Sequence, residues 1–147
     1  MQNPDVEQLF YKGLKAIEDR DMLAALVIFE QLAQLDNKPV YSSYLAFCIA
    51  RERGQVKKGI VLCEEAIEQD PENSAHYLNL GKILLMASRK AGAIETFRIG
   101  LSHEHNQQIV QEIHKLEPRK PPSVVFLSRN NTLNKYLGII QKLIGLR

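Results

Sequence analysis

The sequence predicts an all-α array of stacked helix pairs. Three observations predict it. Rows started at Val6, Val40 and Ser74 lie 34 residues apart with no insertion. Small residues recur at fixed places in those rows. Each row also splits into two amphipathic stretches around a tight turn. A self-similar period between 20 and 50 residues is the signature of an array of supersecondary units. One such pair cannot bury its apolar face alone, so it stacks on the next.

The register is specific. The eighth place of each row reads Gly13, Phe47, Gly81, and the twentieth reads Ala25, Gly59, Ala93. The twenty-fourth reads Phe29, Cys63, Phe97, the twenty-seventh Leu32, Ala66, Gly100, and the thirty-second Asn37, Pro71, His105. Small side chains at the eighth and twentieth places let paired helices approach, since interaxial distance follows the side chains at the contact.

The elements follow in order. Asn3-Pro4-Asp5 opens a helix running to about Asp19, with Asp5 as N-cap or first-turn acid. Arg20-Asp21 turns the chain, and Met22 to Leu35 is the partner helix. Pro39 suits the first turn of the next helix, Val40 to Arg53. The break at Arg53-Gly54-Gln55 leads to a helix from Val56 to Glu68. Pro71 stops the chain from continuing as helix, and Asn73 caps a helix that reaches about Ser88. Lys90 to Ser102 is its partner. A fourth row fails, yet Ile109, Ile113 and Leu116 still form a stripe at helical spacing. Asn106 to Leu116 is therefore predicted as an end helix closing the array.

Pro118-Arg119-Lys120-Pro121-Pro122-Ser123 reads as a stiff spacer, and Val124-Val125-Phe126-Leu127 as an extended apolar piece. Its P-x-x-P spacing is too common to stand as a ligand motif. Asn131 to Leu146 is predicted as a final helix with a clean division of faces. Leu133, Tyr136, Leu137, Ile139, Ile140, Leu143, Ile144 and Leu146 fill one half of its wheel. Burying most of these is worth on the order of 10 kcal/mol before entropy, at about 1.5 kcal/mol each. Something is expected to cover them, with Leu133, Tyr136, Leu137, Ile140, Leu143 and Ile144 as the contacts.

Over this pattern the chain resembles the tetratricopeptide repeat family. The resemblance rests on Gly13, Ala25, Phe29 and Leu32, on Ala46, Phe47, Gly59, Ala66 and Pro71, and on Tyr77, Leu80, Gly81, Ala93 and Phe97. It covers about two thirds of the chain. Lys12 stands where the family prefers Leu, Phe47 replaces a small residue and Gly100 replaces Ala. The resemblance implies a right-handed solenoid with a concave groove that binds polypeptides. The expected organisation is three repeats at 6–39, 40–73 and 74–107 within residues 1–117, including the end helix at 106–116. A linker at 118–130 and a basic amphipathic helix at 131–147 follow.

The family lines its groove from the first helix of each repeat. Here that implies partner contacts at Phe10, Leu14 and Ile17, at Tyr41, Tyr44, Cys48 and Arg51, and at Leu78, Lys82 and Leu85. One branch of the family grips a C-terminal carboxylate with Lys, Asn and Arg. The matching places here hold Phe10, Leu14, Leu45, Ala75 and Asn79, so that clamp is not expected. An apolar groove is expected instead, receiving a helical or extended peptide.

Composition bounds the rest. The 147 residues are 45% hydrophobic and 24% charged, ordinary for one globular domain. The net charge of +2 divides unevenly: −4 through Pro118 and +6 from Arg119 onward, where no acid occurs. An acidic body with a basic tail points to partners, or to the tail meeting its own body. The tail helix is expected to cover the repeats in cis or across a homodimer. The alternative is a peripheral membrane module lying on anionic lipid through that helix.

The opening Met-Gln-Asn-Pro-Asp lacks a basic patch and an apolar run, so no secretory signal and a cytoplasmic address are expected. No apolar run in the sequence is long enough to span a bilayer. Cys48 and Cys63 make no disulfide framework and are read as buried thiols. No phosphate loop, nucleophile elbow or two-His zinc helix is present. His103 and His105, two apart on a helix, point to opposite sides, while His76 and His114 are isolated. Asn130-Asn131-Thr132 matches a glycosylation acceptor but is read as a helix cap. No enzyme activity, cofactor or metal is expected. Nucleic acid is not expected either, because the basic charges are few and no base-stacking motif accompanies them.

Overall fold

The computed structural model describes residues 4–117, and those residues fold into seven helices without a strand. They are α1 (Pro4–Glu18), α2 (Met22–Leu35), α3 (Pro39–Arg53), α4 (Val56–Gln69), α5 (Ser74–Met86), α6 (Lys90–His103) and α7 (Gln107–Leu116). The helices pack as α1 with α2, α3 with α4 and α5 with α6. Contacts of α2 with α3, α3 with α5, α4 with α5 and α6 with α7 join these pairs into a solenoid. The linker and tail helix expected at 118–130 and 131–147 lie outside the described residues.

The helix ends are written in local chemistry. Asp21 Oδ1 accepts from Ala24 N at 3.2 Å, Asn73 Oδ1 from Ala75 N at 3.0 Å, and Asn106 Oδ1 from Ile109 N at 3.2 Å. Each bond satisfies a first-turn donor that has no partner within the helix. Gly54 ends α3 in the left-handed region at φ 68°, where a residue without Cβ is unstrained. The fifth helix ends at Met86, two residues before the expected Ser88. Ser88 itself takes φ 60°, and Arg89 N bonds back to Leu84 O at 2.9 Å. The sequence offers no glycine there, which hid the stop.

The small residues of the repeat do the work their spacing implies. A Cβ built on Gly81 would overlap the ring of Phe97, and one on Gly13 would lie 2.8 Å from Phe29 Cε2. Both rings are wholly buried. The middle repeat reverses the sizes, with bulky Phe47 at the glycine place and small Cys63 at the phenylalanine place, both buried. Filling the space once from either side satisfies close packing. The core runs on through Leu26, Leu32, Ile49, Ile67, Leu80, Ile83 and Leu84 and ends at Ile109 of α7.

Candidate functional site

The face built from α1, α3 and α5 carries the residues singled out in sequence. Phe10 of α1 meets Tyr41 of α3 at 5.4 Å between ring centroids and Tyr44 at 5.9 Å. Tyr44 in turn stacks on buried Phe29 at 5.3 Å with planes 16° apart. These rings form one cluster rather than separate contacts. Tilted and edge-on pairs at such distances add to burial. Burial alone pushes the Tyr44 hydroxyl up to about 12, so it stays neutral at physiological pH.

The ten expected contact residues divide by exposure. Tyr41, Cys48 and Leu78 are 3%, 0% and 1% exposed. They form the floor of this face and offer a ligand almost no surface. Phe10, Leu14, Ile17, Tyr44, Lys82 and Leu85 are half-buried, and Arg51 is exposed. The apolar members of that half-buried set pack against the core with one side and leave the other open. Family register alone did not separate floor from wall, because the difference depends on how closely α3 and α5 approach.

Lys82 is the charged member of the wall. Its Nζ lies 4.7 Å from the centroid of the Phe47 ring, a cation over an aromatic face. Burial lowers its pKa, opposed by Glu112 and reinforced by Lys115 and Arg51. The neighbouring Cys48 thiol is pushed up to about 12 by burial, against the pull of Lys82, and so is unreactive. Cys63 is buried, and burial raises its pKa further still.

A second polar group lies beneath, and the sequence did not disclose it. His76, read as isolated, is wholly buried between two helix pairs. Its Nδ1 is 3.0 Å from Ser43 Oγ and its Nε2 is 3.3 Å from Asp70 Oδ2. Ser43 Oγ donates to Val40 O at 3.2 Å, and Asn79 Nδ2 donates to Ser43 Oγ at 3.3 Å. Residue types of a nucleophilic relay are thus in line. Ser43 is 0% exposed, however, so its hydroxyl has no substrate access. The group is a polar staple across the repeat boundary. A similar one joins Ser74, whose N and Oγ donate to Glu104 Oε1 at 2.9 and 2.7 Å, to Asn106.

Other surfaces are plain. A cleft of about 490 Å³ opens on a different face of α1, between Val6, Leu9 and Lys12 and the α2 residue Leu35. No described helix is long and apolar enough to cross a membrane. Among the described residues no group of three or more His, Cys, Asp or Glu is placed to hold a metal ion.

The profile of the tetratricopeptide repeat matches residues 62–95, a span as long as the sequence period. Among solved structures, the Sgt2 TPR domain from Aspergillus fumigatus superposes with a TM-score of 0.57 at 20% identity. The match covers 82% of this chain and 87% of that one. At that identity the likeness is one of fold. No curated protein matches the sequence.

Proposed function

We propose that this chain, a tetratricopeptide repeat protein, is an adaptor that holds a helical or extended peptide of a partner protein on its α1–α3–α5 face. Repeats of this kind mediate protein–protein interaction, and no catalytic role is assigned. The observation that carries the reading is the line of half-buried Phe10, Leu14, Ile17, Tyr44 and Leu85 above a closed floor. Apolar side chains held rigid on one side and open on the other suit an amphipathic peptide, because little ordering entropy remains to be lost on the protein's side.

The test is a selection of random peptides on the immobilised full chain. Binders should emerge with apolar residues at helical or alternating spacing. Leu85→Glu should weaken them by about 2 kcal/mol, roughly thirtyfold, with the far-UV spectrum unchanged. Binders indifferent to Leu85→Glu and to Leu14→Glu would place recognition elsewhere. The peripheral-membrane alternative and the tail contacts from Leu133 to Ile144 lie outside the described residues. Flotation with anionic vesicles separates that alternative from peptide binding.

A further inference from the structure

Lys82 is a half-buried cation whose neighbourhood is incompletely balanced. Its ammonium rests over Phe47, and among the described residues no carboxylate lies within ion-pair distance of it. Arg98, half-buried like it, is tied to Glu117 at 2.8 Å. The groups facing Lys82 are Cys48 and Arg51 from α3 and Glu112 and Lys115 from α7. Glu112 already bonds Lys115 at 3.3 Å. Three cations therefore face one carboxylate around this end of the face. The other end, where Phe10, Tyr41 and Tyr44 meet, is aromatic.

A cation taken partly out of water costs free energy until an anion or acceptor replaces its hydration. The lowered pKa of Lys82 is a sign of that cost. Burying an acidic side chain against it would offset the desolvation, whereas a second cation there would raise it. Residues 119–147 carry six Lys or Arg and no acidic side chain. They mismatch this end.

We infer that the occupant of the α1–α3–α5 face is a partner peptide with an acidic side chain set against Lys82 and apolar side chains on Phe10, Leu14 and Leu85. This rests on the peptide-binding reading above and adds polarity and direction to it. The acidic side chain lies at the α5–α7 end, beside the contact on Leu85, and the remaining apolar side chains run toward α1.

The experiment is a random 12-residue display selection on the full-length protein and on its Lys82→Met and Lys82→Glu variants. Fluorescence anisotropy of a selected peptide then gives affinities. Wild type should enrich Asp or Glu at a fixed spacing from an apolar residue. Lys82→Met, which keeps the apolar stem, should weaken that peptide about tenfold, and Lys82→Glu should select Lys or Arg instead. Wild-type affinity should fall with added salt even if a variant folds poorly. A synthetic 131–147 peptide should not displace the selected one at comparable concentration. A pool without acidic enrichment, equal binding by Lys82→Met, or ready displacement by the 131–147 peptide overturns the inference. If Leu85→Glu still abolishes binding in those cases, the peptide-binding reading survives. A selection that yields no binder overturns both.

Discussion

His76 shows what one buried titratable residue does to a repeat array. Burial lowers its pKa below the ordinary 6.5, with Asp70 and Glu104 acting in the opposite direction. The unfolded chain takes up a proton near pH 6.5, whereas the folded chain takes it up only at lower pH. The neutral residue's contribution is thus intact above pH 6.5 and is lost as pH falls from there through the folded value. The slope in that window is at most about 1.4 kcal/mol per pH unit from this one group. Urea midpoints measured from pH 7.5 to 5 should fall, and His76→Asn should flatten the curve while lowering it throughout. A midpoint independent of pH in wild type would refute the assignment.

Glycine positions give a matched pair at the same scale. Gly81→Ala drives a methyl into the Phe97 ring, which is itself buried with nowhere to move. A loss of about 1–3 kcal/mol is expected, as for other overpacked cores. At Gly92 an added Cβ would meet only Leu84 Cδ1 at 3.8 Å, an ordinary contact. Gly92→Ala should therefore stabilise α6 by about 0.5–1 kcal/mol through helix propensity and a less flexible unfolded chain. Chemical denaturation of both variants checks the opposite signs.

At the scale of elements, α7 closes one end of the array and α2 leaves apolar surface in the open. Ile109 is 0% exposed and packs over Gly100. Ile109→Ala should cost about 2–4 kcal/mol. That loss should appear as earlier melting of the α5–α6–α7 end, visible by hydrogen exchange before α1 and α2 respond. Along α2, Leu23, Val27 and Leu35 are 61%, 50% and 65% exposed. One repeat later the same register positions hold Lys57, Val61 and Gln69, also exposed. The stripe faces solvent in both repeats and is mostly polar in only one. Leu35→Lys should leave stability within about 0.5 kcal/mol and reduce aggregation in a turbidity assay. A large loss of stability would mean that Leu35 is covered.

Across the whole molecule, apolar contacts join adjacent pairs, and buried hydrogen bonds are added between the second pair and the third. Ser43 belongs to α3, Asp70 to the turn after α4, and His76 and Asn79 to α5. This staple ties the second pair to the third with directional bonds that slide poorly. Apolar packing alone tolerates small shifts in register. The fixed geometry is what holds Phe47 and Lys82, from different pairs, within 4.7 Å on one face.

The helices and their pairing were legible because both are local. A 34-residue period, apolar stripes at helical spacing, Asn and Asp caps, and Pro and Gly stops act within a few residues of where they stand. The complementary sizes of Gly13 with Phe29 and Gly81 with Phe97 could also be read from register. The floor of Tyr41, Cys48 and Leu78, the linkage of His76 to Ser43 and Asp70, and the lack of a described carboxylate within ion-pair distance of Lys82 could not. Those depend on the distance and rotation between helices far apart in sequence, which are set jointly by all the side chains between them. Composition and period determined that this chain would stack helical hairpins; only the stacked structure decided which side chains remain open to solvent.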